Sequence, residues 1–295
     1  MSSTTEFISV DATGRRLALT RGGVGAPTVV LETGLGAESD EWERVQREVE
    51  QFTQVCRYDR ANRGKSDPAP KPRSAQDAVS DLHTLLSAAN LPAPYVLVGH
   101  SLGGIIVRLY AHRYPAEVAG LVLVDSAHED QFEQISPLIP APFPGAPEAL
   151  TSFRAFWNSG WRDPQRNGEG IDFLATRAQA QAIGSLGDLP LLMLTAGSEF
   201  LKHTPPGNAD AARMQARWGE LQREILHLSS DAQQILVRDS GHFIQREQPE
   251  VIIAAIRQMV EKVRGQTSDT RRLLNQPQTT AGRSRSPAVK ESGMS

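Results

Sequence analysis

One seven-residue stretch restricts this chain more than any other. Val98-Gly99-His100-Ser101-Leu102-Gly103-Gly104 closes a short apolar run and opens a longer one that reaches about Tyr114. The short run reads as a buried strand and the longer one as a helix. The chain must therefore turn sharply from strand into helix at a serine. Glycines two residues to either side of Ser101 leave room for such a turn, which larger residues would crowd. The turn lifts the hydroxyl clear of the backbone, and the helix start brings an N–H group and a positive dipole end beside it. The G-x-S-x-G pentapeptide alone says little, because both residue types are common. The strand before it and the helix after it make it informative.

The same rhythm runs along most of the chain. Residues 7–10 and 15–21 flank the turn Ala12-Thr13-Gly14 and read as a hairpin. Residues 28–33, 54–58, 120–125 and 190–196 read as buried strands, and 234–237 as the last strand. Asp40 and Glu43 resemble a capping box that opens a helix to about Gln51. Residues 74–89 form a second helix, with Val79, Leu82, Leu86 and Ala89 on one face. Further helices are expected over about 210–229 and 249–263. Strands alternating with helices predict an α/β fold, a mostly parallel sheet with helices on both faces. The rhythm breaks over 126–188, where prolines cluster at 137, 140, 142, 144 and 147. Phe132, Phe143, Phe153, Phe156, Trp157, Trp161 and Phe173 gather there too. We read 126–188 as an inserted helical cap on a core formed by 1–125 and 189–265. After Gly265, Gln, Thr, Ser, Arg and Pro dominate, so 266–295 reads as a disordered tail.

Composition excludes several functions. The formal charge of -3 is spread along most of the chain and gives no reason to expect a nucleic acid or an anionic membrane as partner. The single cysteine, Cys56, rules out an intrachain disulfide and fits a reducing compartment. Met1-Ser2-Ser3-Thr4-Thr5-Glu6 lacks a basic start and an apolar run, and no stretch of 18 apolar residues exists. A cytoplasmic enzyme without membrane insertion is the expectation. No His/Cys cluster has zinc spacing and no G-x-G-x-x-G opens a dinucleotide site, so neither a metal nor an organic cofactor is expected. Nothing in the sequence fixes an oligomeric state.

A serine hydroxyl attacks only when a base removes its proton, and a neutral imidazole is the usual base. Of the seven histidines, His83, His112 and His227 fall inside expected helices and read as surface or packing residues. His203 lies in a proline-containing loop. His100 directly precedes the turn serine and reads as packing. His128 follows the sixth strand and is a candidate pocket residue. His242 follows the last strand, where a parallel sheet returns the chain to the edge that carries Ser101.

Four segments give the chain a resemblance to a known family. They are Glu32-Thr33-Gly34-Leu35-Gly36 after the third strand, Tyr58-Asp59-Arg60-Ala61-Asn62-Arg63-Gly64-Lys65-Ser66-Asp67 after the fourth, the Ser101 turn, and Ser240-Gly241-His242-Phe243. Over residues 7–263 the chain resembles the α/β-hydrolase superfamily, in particular its serine esterase- and lipase-like members with a helical cap. The resemblance implies an eight-stranded, mostly parallel α/β-hydrolase sheet, Ser101 as nucleophile and His242 as base. It assigns the oxyanion hole to the N–H groups of Leu35 and Leu102. Thr33 stands where the family commonly has histidine. The family most often carries its acid after the seventh strand, where this chain has Phe200, with Glu199 one residue early. Some members carry it after the sixth strand, where this chain has Asp125. Asp125 is the expected acid, with Glu199 as the alternative and Asp239 behind both. Asp59 and Arg60 read as a salt-bridged structural turn.

Serine at the turn argues against the epoxide- and haloalkane-opening members of the family, which use aspartate there. It implies an acyl-enzyme, and so an ester, thioester, lactone or amide. The aromatic-rich cap suggests a small, apolar, ester-like substrate lined by Gly34, His128, Phe156, Trp157 and Phe243. For any one aromatic, packing within the cap is the simpler reading. A C–C bond hydrolase, an aminopeptidase, a haloperoxidase-like enzyme and a non-catalytic ligand receptor remain open alternatives.

Overall fold

A computed structural model describes residues 4–139, 148–198, 200 and 209–274. Eight strands form one sheet in the order β1-β2-β4-β3-β5-β6-β7-β8. β1 (Thr5–Ser9) and β2 (Arg16–Gly22) make the expected hairpin, and β2 pairs antiparallel with β4 (Val55–Tyr58). β3 (Thr28–Glu32), β5 (Tyr95–His100), β6 (Val118–Val124), β7 (Leu191–Ala196) and β8 (Ala232–Val237) continue it in parallel.

Side-chain alternation sorts the central strands onto two faces. Val30, Leu97, Leu121, Leu123 and Met193 pack with α2 (Ala75–Ala88) and α3 (Leu102–Arg113). Val29, Leu31, Val96, Val98, Val122, Val124 and Leu194 pack on the other face with α1 (Glu43–Val49) and the C-terminal helix. Burial on both faces explains why these strands read as unbroken apolar runs. Cys56 lies within β4, where burial pushes its thiol up to about 12. At pH 8 only about one molecule in ten thousand would carry the reactive thiolate, so the native chain should resist an aromatic disulfide reagent. One equivalent should react after unfolding in guanidinium; rapid reaction of the native protein would contradict this burial.

Between β6 and β7 the chain leaves the sheet for α4 (Gln131–Ile135), α5 (Glu148–Asn158) and α6 (Phe173–Gln181), with short 3-10 turns among the described residues around them. Phe132 stacks on Trp161 at 4.7 Å and meets Phe156, Trp157 and Phe173 edge-on. These aromatics are continuous with the core on the α2/α3 face of the sheet. α7 (Ala209–Ile225) then packs Met214, Trp218 and Leu221 against Ile135, Ile139 and Phe200.

Two local expectations differ from the structure. A 3-10 turn, Ser39–Trp42, precedes α1, and Asp40 does not cap it but accepts from Arg57 at 2.5 Å. A charge-assisted bond to the neighbouring strand has displaced the weaker local cap. After α8 (Ile244–Glu247), the last helix, α9, runs Pro249–Leu274, eleven residues beyond the expected end at Val263. The apolar periodicity stops at buried Val263, and periodicity cannot register a helix that continues in polar sequence. The remainder of the expected tail, 275–295, lies outside the described residues. Among those described, no helix is long and apolar enough to cross a membrane.

Candidate active site

The sheet order determines where a site can form. From β3 the chain passes to β4 on one side, then returns to β5 on the other, so a crevice opens beyond the carboxyl ends of β3 and β5. In register, Glu32 pairs with Gly99, His100 with Val124, and Val124 with Leu194. Residues 33–36, Ser101 and Asp125 therefore leave the sheet along one edge.

Ser101 precedes α3 with φ 51° and ψ -120°, a conformation few non-glycine residues adopt. Close packing enforces it. A Cβ on Gly99 would come within 2.5 Å of the Gly103 carbonyl, and one on Gly103 within 2.6 Å of the Thr33 carbonyl. Ser101 N donates to Val124 O (3.1 Å), and its own carbonyl accepts from Ala127 N (2.8 Å). Gly104 N donates back to Ser101 O (2.9 Å), while the N–H of Leu102, the first residue of α3, precedes every helical acceptor.

Asp125 directly follows β6, fully buried, with φ 40°. Its Oδ1 accepts from Ala196 N (2.9 Å) and from the Trp218 indole Nε1 (2.8 Å). Its Oδ2 lies 2.7 Å from His242 Nδ1. A carboxylate only accepts, so His242 Nδ1 carries the proton in this bond and Nε2 presents a lone pair. Glu199 and His203 lie outside the described residues. Phe200, at the other expected acid position, is packed edge-on against Trp218 at 6.2 Å.

His242 lies against the serine turn. Its ring centroid is 4.6 Å from that of His100, whose Nε2 donates to the His242 carbonyl at 3.0 Å. Gln245 Nε2 donates to His100 Nδ1 (3.1 Å) and to Glu41 Oε2 (3.1 Å). Burial and the neighbouring His242 hold the His100 imidazole well below the ordinary histidine value, so it stays neutral. The packing expected of His100 thus includes fixing the backbone of the His242 loop.

Beneath residues 33–36 lies a charge network that joins β3, the turn after β4 and Glu169, which lies between β6 and β7. Arg60, fully buried, donates through Nε and Nη2 to both carboxylate oxygens of Glu169 (2.8 Å each). Its Nη1 donates to Glu32 and to the Thr33 carbonyl (2.7 Å), and its Nη2 to the Gly34 carbonyl (2.6 Å). Tyr58 hydroxyl donates to Glu32, whose carboxyl is pushed up by burial and drawn back by Arg60. Arg60 was expected to pair within its own turn. Asp59 instead accepts from Ser39 N (2.8 Å) and Lys65 N (2.9 Å), and Arg60 reaches across to other segments.

The remaining candidates fall in different places. Gly34 lies beneath His100 and Ser101, where an added Cβ would meet His100 Nδ1 at 2.8 Å. Leu35 is half-buried beside it. Phe243 is 39 % exposed and lies edge-on to His242 at 5.3 Å, with the Arg246 guanidinium 4.4 Å over its ring. Phe156 and Trp157 are partly buried, pack against the main core and meet Phe132 edge-on. His128 is buried; its Nδ1 accepts from Asp130 N (3.1 Å), and its Nε2 lies 3.6 Å from Glu224 on α7. Among the described residues no group of three or more His, Cys, Asp or Glu gathers as a metal site. Trp218 and Glu169 had no signal in the sequence: one is an aromatic in an amphipathic helix, the other an acid between two glycines.

This sheet, its crossovers and its serine turn are those of the α/β-hydrolase fold. A family profile described as alpha/beta hydrolase fold matches residues 27–156. The Bacillus subtilis protein YqjL is 29% identical over 80% of this chain and 84% of its own length. A thermophilic esterase from Thermogutta terrifontis superposes with TM-score 0.62 and 22% identity, covering 88% of this chain and 99% of its own. A hydrolase from Pseudomonas aeruginosa gives TM-score 0.60 and 22% identity over 87% and 98%. At these identities the two structures share the fold.

Proposed function

We propose that the chain is a serine hydrolase that cleaves small to medium apolar carboxylic esters through an acyl-enzyme. One observation carries this reading: the buried Asp125 carboxylate, saturated by two donors on Oδ1, offers Oδ2 to His242 Nδ1 at 2.7 Å. That bond leaves His242 Nε2 basic, on a ring packed against the residue before Ser101. The fold of the Thermogutta terrifontis esterase is consistent with it.

In this reading Ser101 Oγ attacks the ester carbonyl carbon while His242 Nε2 takes the hydroxyl proton. The N–H groups of Leu35 and Leu102 stabilise the tetrahedral oxyanion. The intermediate collapses, the C–O bond breaks, and the alcohol leaves with the proton from His242. Water then attacks the acyl-enzyme, gives its proton to His242, and the acid departs as Ser101 regains a proton. Asp125 holds the imidazole tautomer and stabilises the imidazolium. Phe243, at the mouth, and the cap aromatics supply apolar surface for the acyl or alcohol group.

A series of p-nitrophenyl esters of increasing acyl length, run beside an anilide and a lactone, tests the substrate class. The expected result is turnover of the short and medium esters with an optimum in chain length. Anilide turnover exceeding that of every ester would reject the assignment.

Trp218→Phe removes one donor from Asp125 and keeps the ring. A hydrogen bond to a charged group is worth about 1.5 kcal/mol or more, so kcat should fall about tenfold with KM within about twofold. Unchanged kcat would reduce Trp218 to packing.

A further inference from the structure

We infer that Glu169 is a positioning residue for the oxyanion loop, so that the cap is a working part of the site and more than its cover. The inference rests on the hydrolase reading above. Residues 33–36 are held from both sides of Leu35. Arg60 takes the carbonyls of Thr33 and Gly34, and Glu169 Oε1 accepts from Gly36 N at 2.6 Å. The same Glu169 carboxylate receives Arg60 in two parallel bonds, a geometry that fixes the guanidinium plane as well as its position. Glu169 is 1% exposed, although it belongs to the insertion and stands 109 residues from Arg60 and 133 from Gly36.

Other contacts tie the cap to the core at this point without touching the loop. Lys71 Nζ donates to Gly168 O (2.6 Å), Asn62 Nδ2 to Glu169 O (3.1 Å) and Arg73 N to Gly170 O (2.8 Å). They anchor the backbone of the cap segment, while the Glu169 side chain reaches the loop. A buried ion pair is weak evidence of net stability, because desolvation offsets much of its attraction. Here its atoms converge on three backbone groups around one N–H. An oxyanion donor works only if it is fixed before charge develops, so a loose loop costs transition-state binding and little ground-state binding.

The test uses the full chain with Glu169→Ala and Glu169→Gln, and Lys71→Ala as a cap tether that does not reach the loop. Kinetics with a p-nitrophenyl ester are read beside melting temperature. Glu169→Ala should lower kcat about 100-fold with KM within about threefold, the signature of a lost oxyanion donor. Glu169→Gln keeps an acceptor for Gly36 N but no charge for Arg60, and should fall between Glu169→Ala and the wild type. Lys71→Ala should retain wild-type kcat. If both Glu169 variants melt lower yet keep wild-type kcat, or raise KM at constant kcat, the inference is overturned. Should Glu169→Ala fail to fold, Glu169→Gln decides by the same criteria. Absence of ester turnover in the wild type would end the hydrolase reading and this inference together. Wild-type turnover that disappears in Ser101→Ala, with unaffected Glu169 variants, would end this inference alone.

Discussion

Ester turnover by Ser101→Ala should fall at least about 10⁴-fold while the chain keeps its fold and its substrate affinity. Without the hydroxyl no acyl-enzyme forms, so only the catalysis available from binding and the oxyanion donors remains. The substitution removes one oxygen at a half-buried position and leaves the turn intact. The backbone conformation is imposed by Gly99, Gly103 and the bonds of Ser101 N and O, none of which involves the side chain. Melting temperature should therefore stay within a few degrees of the wild type. Substrate binding, read by equilibrium fluorescence of an unhydrolysed ester, should persist. Residual activity within tenfold of wild type would remove Ser101 from the nucleophile role.

The second large effect is expected at Asp125. In Asp125→Asn the amide oxygen must take the Oδ1 site, because Ala196 N and Trp218 Nε1 both donate there. The amide nitrogen then faces His242 Nδ1, and two donors cannot share that bond. His242 must accept at Nδ1 and carry its proton on Nε2, the tautomer that cannot take a proton from Ser101. A loss of about 10⁴-fold in kcat follows, with binding preserved. Asp125→Ala is the poorer test, because it strands two buried donors at a cost of about 1–3 kcal/mol each. Wild-type activity in Asp125→Asn would return the acid's role to Glu199.

What the sequence revealed and what it hid divide along physical lines. The serine turn was legible because its requirements are local: apolar strand, glycines at close approach, apolar helix. The central strands were legible because burial on both faces leaves no polar interruption, as at Leu121, Val122, Leu123 and Val124. Asp125 could be preferred over Glu199 because Phe200, large and apolar, fills the other position. Arg60 could not be read, since a guanidinium's partners 28 and 109 residues away leave no periodic trace. Trp218 shares its helix face with the apolar Met214 and Leu221, and its indole N–H finds Asp125 across 93 residues. Asp40 misled because the capping signal ignores Arg57 on the adjacent strand, and charge won over local geometry.

The central claim is that Ser101, and no other residue, becomes covalently acylated. The most direct measurement treats the wild-type chain with a fluorophosphonate and locates the adduct by peptide mass spectrometry. The account predicts one adduct per chain, on the peptide containing Ser101, absent from Ser101→Ala and slowed by competing ester. Persistent ester turnover with no adduct on that peptide, or an equal adduct in Ser101→Ala, would contradict it.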